Sequence, residues 1–209
     1  MVCGGQQMLR VDQEGSRPTD RALGDILQTV RGKLPTVDAM VLSDYAGGVL
    51  DAPQGMIARA RRHSVPVYVD PKGPDWSRYC GATLIKPNEA ELRAVVGDWE
   101  DGPDMVDRAR RHLRLSGIEY ALVTMGAGGM TLIDSGCTHW HQPATSGPVV
   151  DVTGAGDTVL ACVAYLRSQG MDWPDVLRFA AMGAAAVCAR HGTSAVTLAD
   201  IDMVADDVC

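Results

Sequence analysis

Four short runs rich in β-branched and aliphatic residues, VDAMVLS (37–43), VPVYVD (65–70), ATLIKP (82–87) and IEYALVT (118–124), alternate with stretches of helical composition. Runs this short and apolar leave no polar face for water, so they predict strands buried on both sides. Parallel neighbours need long crossovers, and helices over 52–63, 88–97 and 103–115 supply them. The alternation therefore predicts an α/β fold with a mostly parallel sheet between helices. After the fourth strand, the glycine turn MGAGG (125–129) leads into MTLID and THWHQP, a predicted antiparallel addition at the sheet edge. The C-terminal third predicts helices over 155–169 and 173–190, the second with Pro174 in its tolerant first turn and Gly192 as its stop. At 209 residues, one domain over 1–209 is the expectation.

A net charge of −7 gives no electrostatic footprint for a phosphate backbone or an anionic membrane, so neither nucleic acid nor membrane is expected as a partner. The pentapeptide RARRH occurs twice, at 59–63 and 108–112. Each copy is predicted to close a helix, where cations complement the helix dipole. No apolar stretch is long enough to span a bilayer, and MVCGGQQMLR lacks the order of a signal peptide, so a cytoplasmic location is expected. The six cysteines form no C-x-x-C pair and point to neither a zinc site nor a disulfide framework. His139 and His141 share one strand face, but no third ligand is near in sequence, and an exposed edge strand accounts for them better.

The segment DVTGAGDT (151–158) carries the sharpest chemistry. If a helix starts within it, the amides of Gly154, Ala155, Gly156 and Asp157 point outward at the positive end of the helix dipole, and small side chains let a phosphate come close. Asp157, beside those amides, can accept a proton from a hydroxyl that attacks a phosphoryl group. The same residues also suit a capped helix after a tight turn. No Lys-Ser/Thr follows the glycines, which excludes a Walker A loop, and Val159 interrupts a G-x-G-x-x-G fingerprint. Asn88 and Glu91 in KPNEAEL have capping-box spacing. Thr124, Gly126 and Gly129 lie where a strand ends, which in an open α/β sheet is also where ligands bind. Asp44 in SDYAGG and Lys72 in DPKG end two further strands, as candidates for sugar or phosphate contacts or as ordinary turn residues.

In order along the chain, QQMLRVDQE, VLSDYAGGVL, VYVDPKGPDWSRYCGATLIKPNEAEL, ALVTMGAGGMTLI, DVTGAGDT and ARHGTSAVT resemble the motifs of the ribokinase-like (PfkB) carbohydrate kinases. Within that family the resemblance is greatest to members acting on D-glycero-β-D-manno-heptose 7-phosphate. It implies a three-layer ribokinase-like fold, with Asp157 as catalytic base and Gly154, Ala155 and Gly156 as the anion hole. It implies ATP held by Asn88, Glu89, Ala90 and Glu91 at the phosphates and by Thr124, Gly126 and Gly129, with Ala184 to Val187, Ala185 among them, over the adenine. Glu91 is then expected to hold Mg2+ through water, and Asp151 and Thr153, with backbone near 189–192, a monovalent cation such as K+. Asp44 and Lys72 are expected at the sugar phosphate.

The implied reaction is ATP-dependent phosphorylation of heptose 7-phosphate to the 1,7-bisphosphate, a step in lipopolysaccharide precursor synthesis. Another sugar, a nucleotide-binding protein without turnover and a dinucleotide binder are the alternatives, and a homodimer is compatible with the resemblance. Two departures stand out. Ala46 and Gly47 replace a usual Gly-Lys pair, removing a cation near the substrate. The chain also aligns only from the family's middle onward. The first strands, the Gly-Gly sugar motif and most of the β-lid are expected to be missing, with QQMLRVDQE as the strand returning from the lid, and no adenylyltransferase domain is expected after Cys209.

Overall fold

A computed structural model describes residues 17–197 and 199–200, together with the backbone of 2–3 and 6–7. A two-residue antiparallel pair, β1 (Val2–Cys3) and β2 (Gln6–Gln7), comes first. The remainder of QQMLRVDQE lies outside the described residues.

The main sheet has six strands in sequence order: β3 (Met40–Ser43), β4 (Val67–Asp70), β5 (Leu84–Ile85), β6 (Tyr120–Thr124), β7 (Met130–Asp134) and β8 (His139–Gln142). Strands β3 to β6 pair in parallel, and β7 and β8 add on antiparallel, as the turn chemistry of MGAGG predicts. Gly129 makes that hairpin possible: its φ is +82°, and a Cβ there would lie 2.2 Å from the Gln142 carbonyl oxygen.

Alternate strand residues point to opposite faces, which divides the core in two. Val67, Val69, Ile85, Ala121 and Val123 face a cluster built from α2 (Gln54–Arg62), α3 (Glu89–Val96) and α4 (Gly102–Ser116). Tyr68, Leu84, Leu122 and Leu132 face the other cluster, under α5 (Ala155–Ser168) and α6 (Trp173–Cys188). This is the expected three-layer arrangement. Asp101 caps α4, accepting the Asp104 amide at 2.9 Å, and Gly117 ends it at φ +65°. Asp172 caps α6.

Two differences from the sequence reading concern helices. Asp20–Lys33 forms a helix, α1, that was not predicted. Its start is capped by Thr19, but none of its residues is fully buried; Ile26 and Val30 only lean on the core, so its apolar stripe is weak. The second RARRH copy does not close α4 but sits inside it, one turn before Ser116, with Arg108 paired to Asp104 one turn earlier. His139 and His141 are exposed on β8, as expected of an edge strand.

Candidate active site

The four parallel strands all deliver their C-terminal ends to one edge of the sheet, and with them Asp44, Asp70, Lys86 and the residues around Thr124. Helix α5 begins at the same edge. Gly154 precedes it at φ 82°, ψ 0°, the geometry of the third residue of a type II turn. A Cβ at Gly154 would also lie 2.9 Å from the Thr193 Cγ2.

That turn corrects one expectation. The Ala155 amide does not face outward; it donates to the Val152 carbonyl at 3.2 Å, because a type II turn closes on the amide that follows its glycine. Among the described residues, the amides of Gly154, Gly156 and Asp157 meet no protein acceptor, and no side chain caps the helix. Asp157 is exposed in the first turn of α5, and the Tyr45 hydroxyl lies 3.4 Å from each of its carboxylate oxygens. Tyr45 is itself 75% exposed and precedes Ala46, which holds a left-handed φ of 57°. Glycine would adopt that φ without strain.

Beneath this turn lies an ion pair that sequence reasoning missed. Lys86, at the end of β5, is 4% exposed, and its Nζ is 3.1 Å from Asp70 Oδ1 at the end of β4. Burial pushes the Asp70 carboxyl above its ordinary range, and the neighbouring Lys86 opposes that shift. A Cβ added to Gly156 would lie 3.1 Å from Lys86 Nζ, so the ammonium packs directly against the first turn of α5. A lysine closing an otherwise apolar buried strand was the available signal. The partner it meets, some 70 residues onward in Gly156, was not legible.

A cavity of about 440 Å3 opens beside α5. Thr124, Gly126 and Gly129 line one wall, Ala155 and Gly156 its polar end, and Ala181, Ala184, Ala185 and Cys188 of α6 the apolar wall. These α6 residues repeat at helical spacing. Ala186 and Val187, by contrast, turn inward and are buried, so of the 184–187 stretch only the first two face the cavity. Volume and lining suit a planar apolar ring with its charged end toward Gly156.

Asp151 ties the two ends of this cavity together. Its Oδ1 accepts the Thr153 amide at 2.9 Å and its Oδ2 the Gly192 amide at 3.0 Å, while the Val150 and Asp151 amides both donate to the Cys188 carbonyl. Hydrogen bonds from Thr153 and Gly192 hold the Asp151 carboxyl below the usual carboxylate range. The sequence-predicted grouping of Asp151, Thr153 and the backbone near 189–192 is therefore brought together.

At the start of α3 the capping box is complete: Asn88 Oδ1 accepts the Glu91 amide at 2.8 Å, and Glu91 Oε2 accepts the Asn88 amide at 2.9 Å. Glu89 and Ala90 are exposed in its first turn, and an isolated bridge to Thr124 sets Asn88 beside the cavity wall. The second oxygen of Glu91 lies 3.9 Å from Lys72 Nζ, so Lys72 reaches this carboxylate. One carboxylate with an oxygen free of hydrogen bonds suits a hydrated divalent cation whose other ligands are water and phosphate.

Asp44 is 7% exposed and fully engaged: Oδ1 accepts the Ala46 amide at 2.8 Å, and Oδ2 accepts the Tyr79 hydroxyl at 2.7 Å with Arg78 at 3.4 Å. Its carboxylate shapes the loop that carries Tyr45.

Residues 44–200 match the pfkB family of carbohydrate kinases. The chain belongs to that family. It is 47% identical over 94% of its length to the D-beta-D-heptose 7-phosphate kinase of Bordetella bronchiseptica, and 40% identical over 96% of its length to the bifunctional protein HldE of Shewanella loihica. It spans 62% of the first relative's length and 41% of the second's. Among solved structures it is similar to Arabidopsis thaliana ribokinase complexed with ribose and ATP (TM-score 0.73, 22% identity, 91% of this chain and 60% of that one). It is also similar to Escherichia coli phosphofructokinase-2 in complex with potassium (TM-score 0.76, 19% identity, 96% and 66%). At these identities the two structures establish the ribokinase-like fold, which the motif order in the sequence had implied. Among the described residues no helix is long and apolar enough to cross a membrane.

Proposed function

We propose that this chain carries the nucleotide site and the catalytic base of an ATP-dependent sugar kinase acting in the cytoplasm, with a heptose 7-phosphate as the acceptor at its anomeric hydroxyl. One observation carries the reading: an exposed Asp157 stands beside the unpaired amides of Gly154 and Gly156, at the polar end of a cavity shaped for a flat apolar ring. The relatives' names support the choice of sugar.

In this reading the cavity between Gly126, Gly129 and the α6 alanines takes the adenine and ribose of ATP, and its phosphates run toward Asn88 and Gly156. Asp157 orients the sugar hydroxyl and takes its proton as the hydroxyl oxygen bonds to the γ-phosphorus. The bond from that phosphorus to the β–γ bridging oxygen breaks, and ADP leaves with the electron pair. The amides of Gly154 and Gly156 are fixed donors to the charge on the transferring group and need no reorganisation. Glu91 would hold Mg2+ through water, and that ion would neutralise phosphate charge. Asp151 and Thr153 with the Gly192 backbone would hold a monovalent cation, steadying the turn before α5. Lys72 and the loop shaped by Asp44 face the sugar side.

A coupled assay of ADP release with heptose 7-phosphate against ribose, fructose 6-phosphate and adenosine tests the proposal. Turnover fastest with the heptose is expected, and turnover on none of them removes it. A second reading, ATP binding without turnover, is favoured by the Tyr45 hydroxyl lying within 3.4 Å of both Asp157 oxygens. Calorimetry that finds ATP binding with no turnover on any sugar selects it.

A further inference from the structure

The buried pair Lys86–Asp70 is used by nothing in the mechanism above, yet it sits directly under it. Taking the kinase reading as its premise, the geometry points to Lys86 as a further phosphate-binding residue of this site, aimed at the phosphoryl group next to Gly156 and held there by Asp70. The ammonium has three donors. Asp70 is its one ion-pair partner among the described residues, at 3.1 Å. Its other side packs at Gly156, where a Cβ would come within 3.1 Å of it. The glycine is thus needed as space for the cation as well as for the phosphate.

Two more observations fit a functional pair better than a structural one. Burying a lysine and a carboxylate together at a strand end costs desolvation that their mutual attraction seldom exceeds, so an apolar pair would serve folding as well. And the arrangement is lopsided: the Lys86 side chain is 5% exposed, whereas that of Asp70 is 22% exposed, so the ammonium lies out of solvent beneath Gly156 and the carboxylate is the member that reaches water. A cation in that low-dielectric position acts on a neighbouring phosphate far more strongly than a solvated one. Lys86 moves no proton in this role; it adds fixed positive charge to the amides of α5, while Asp157 alone takes the hydroxyl proton.

The test must separate lost charge from a damaged fold. Lys86→Met alone strands a buried carboxylate and is expected to destabilise the protein. The double variant Lys86→Met with Asp70→Asn removes both charges at similar volume and is expected to melt near the wild-type temperature. Calorimetry then compares ATP with adenosine, which shares the ring and ribose but has no phosphate. A charged hydrogen bond to phosphate is worth about tenfold to hundredfold in affinity. The double variant should therefore lose at least about tenfold in its preference for ATP over adenosine while adenosine binding stays unchanged. A pair with only a structural role would leave that ratio untouched, and an unchanged ratio overturns the assignment whatever the turnover. Asp157→Asn run alongside keeps the premise separate. If it turns over as fast as wild type, or if the wild type binds no ATP, the kinase reading itself is wrong. A slow Asp157→Asn with an unchanged ratio in the double variant sinks only the role of Lys86.

Discussion

Two helices start at the same edge of the sheet, and they start differently. At α3 the polar groups are matched to one another: Asn88 and Glu91 satisfy each other's amides, and close by Asp44 satisfies Tyr79, Arg78 and the Ala46 amide. At α5 no side chain among the described residues caps the helix, three amides meet no protein acceptor, Asp157 is exposed beside them, and Gly156 lines the cavity with the Lys86 ammonium packed beneath it. Matched groups hold the scaffold still. Unmatched ones are available to a substrate. The contrast forecasts that substitutions in the first region move the melting temperature and substitutions in the second move the rate.

The severest challenge is Asp157→Asn. It is expected to lower kcat by about 10^3-fold while shifting stability by no more than about 0.5 kcal/mol, because the side chain is exposed. Calorimetric melting beside the ADP-release assay checks both halves, and a parallel loss of stability would break the contrast. Gly156→Ala comes next. Its new Cβ would press at 3.1 Å on an ammonium pinned by Asp70, so about a tenfold fall in kcat is expected. Stability should hold, since alanine is the better helix residue.

On the matched side, Asn88→Ala removes half of the capping box and should cost about 1 kcal/mol, or about 2–4 °C in melting temperature. ATP turnover at saturating substrate should stay within about threefold, because any lost phosphate contact then shows in KM. The smallest effect concerns pH. Burial, aided by the Asp44 carboxylate, pushes the Tyr79 phenol from 10.0 up to about 12. A raised phenol stabilises the fold fully below its unfolded value and loses that contribution as pH rises through the folded one. Tyr79 should therefore stay protonated past pH 10, while its contribution to stability is lost steadily between about pH 10 and about pH 12. Ultraviolet phenolate absorbance of wild type against Tyr79→Phe reads it.

Much of this was legible in the chain because it is local. The apolar runs at 65–70 and 118–124 could only be buried strands, Asn88 and Glu91 are three apart, and the glycines after Thr124 announce a hairpin. What failed to show depends on partners distant in sequence or on a single dihedral. Helix α1 has a proper cap but only a half-buried stripe, so its pattern is faint. The Ala155 amide is lost to Val152 because Gly154 adopts a left-handed turn, which composition alone does not specify. Lys86 under Gly156, and Tyr45 against Asp157, are products of the β-α-β crossovers that bring strand ends together.

The carbonyl of Cys188 has a consequence of its own. It receives amides from Val150 and Asp151, so the last turn of the helix that flanks one extremity of the cavity is bolted to the loop that feeds the other. Pushing that helix aside to admit a bulkier ring would drag the loop with it. On the proposed kinase reading, such a protein would find it hard to change its phosphate donor without also slowing down, and drift toward a new acceptor sugar, whose proposed contacts Asp44 and Lys72 follow other strands, would be the easier course.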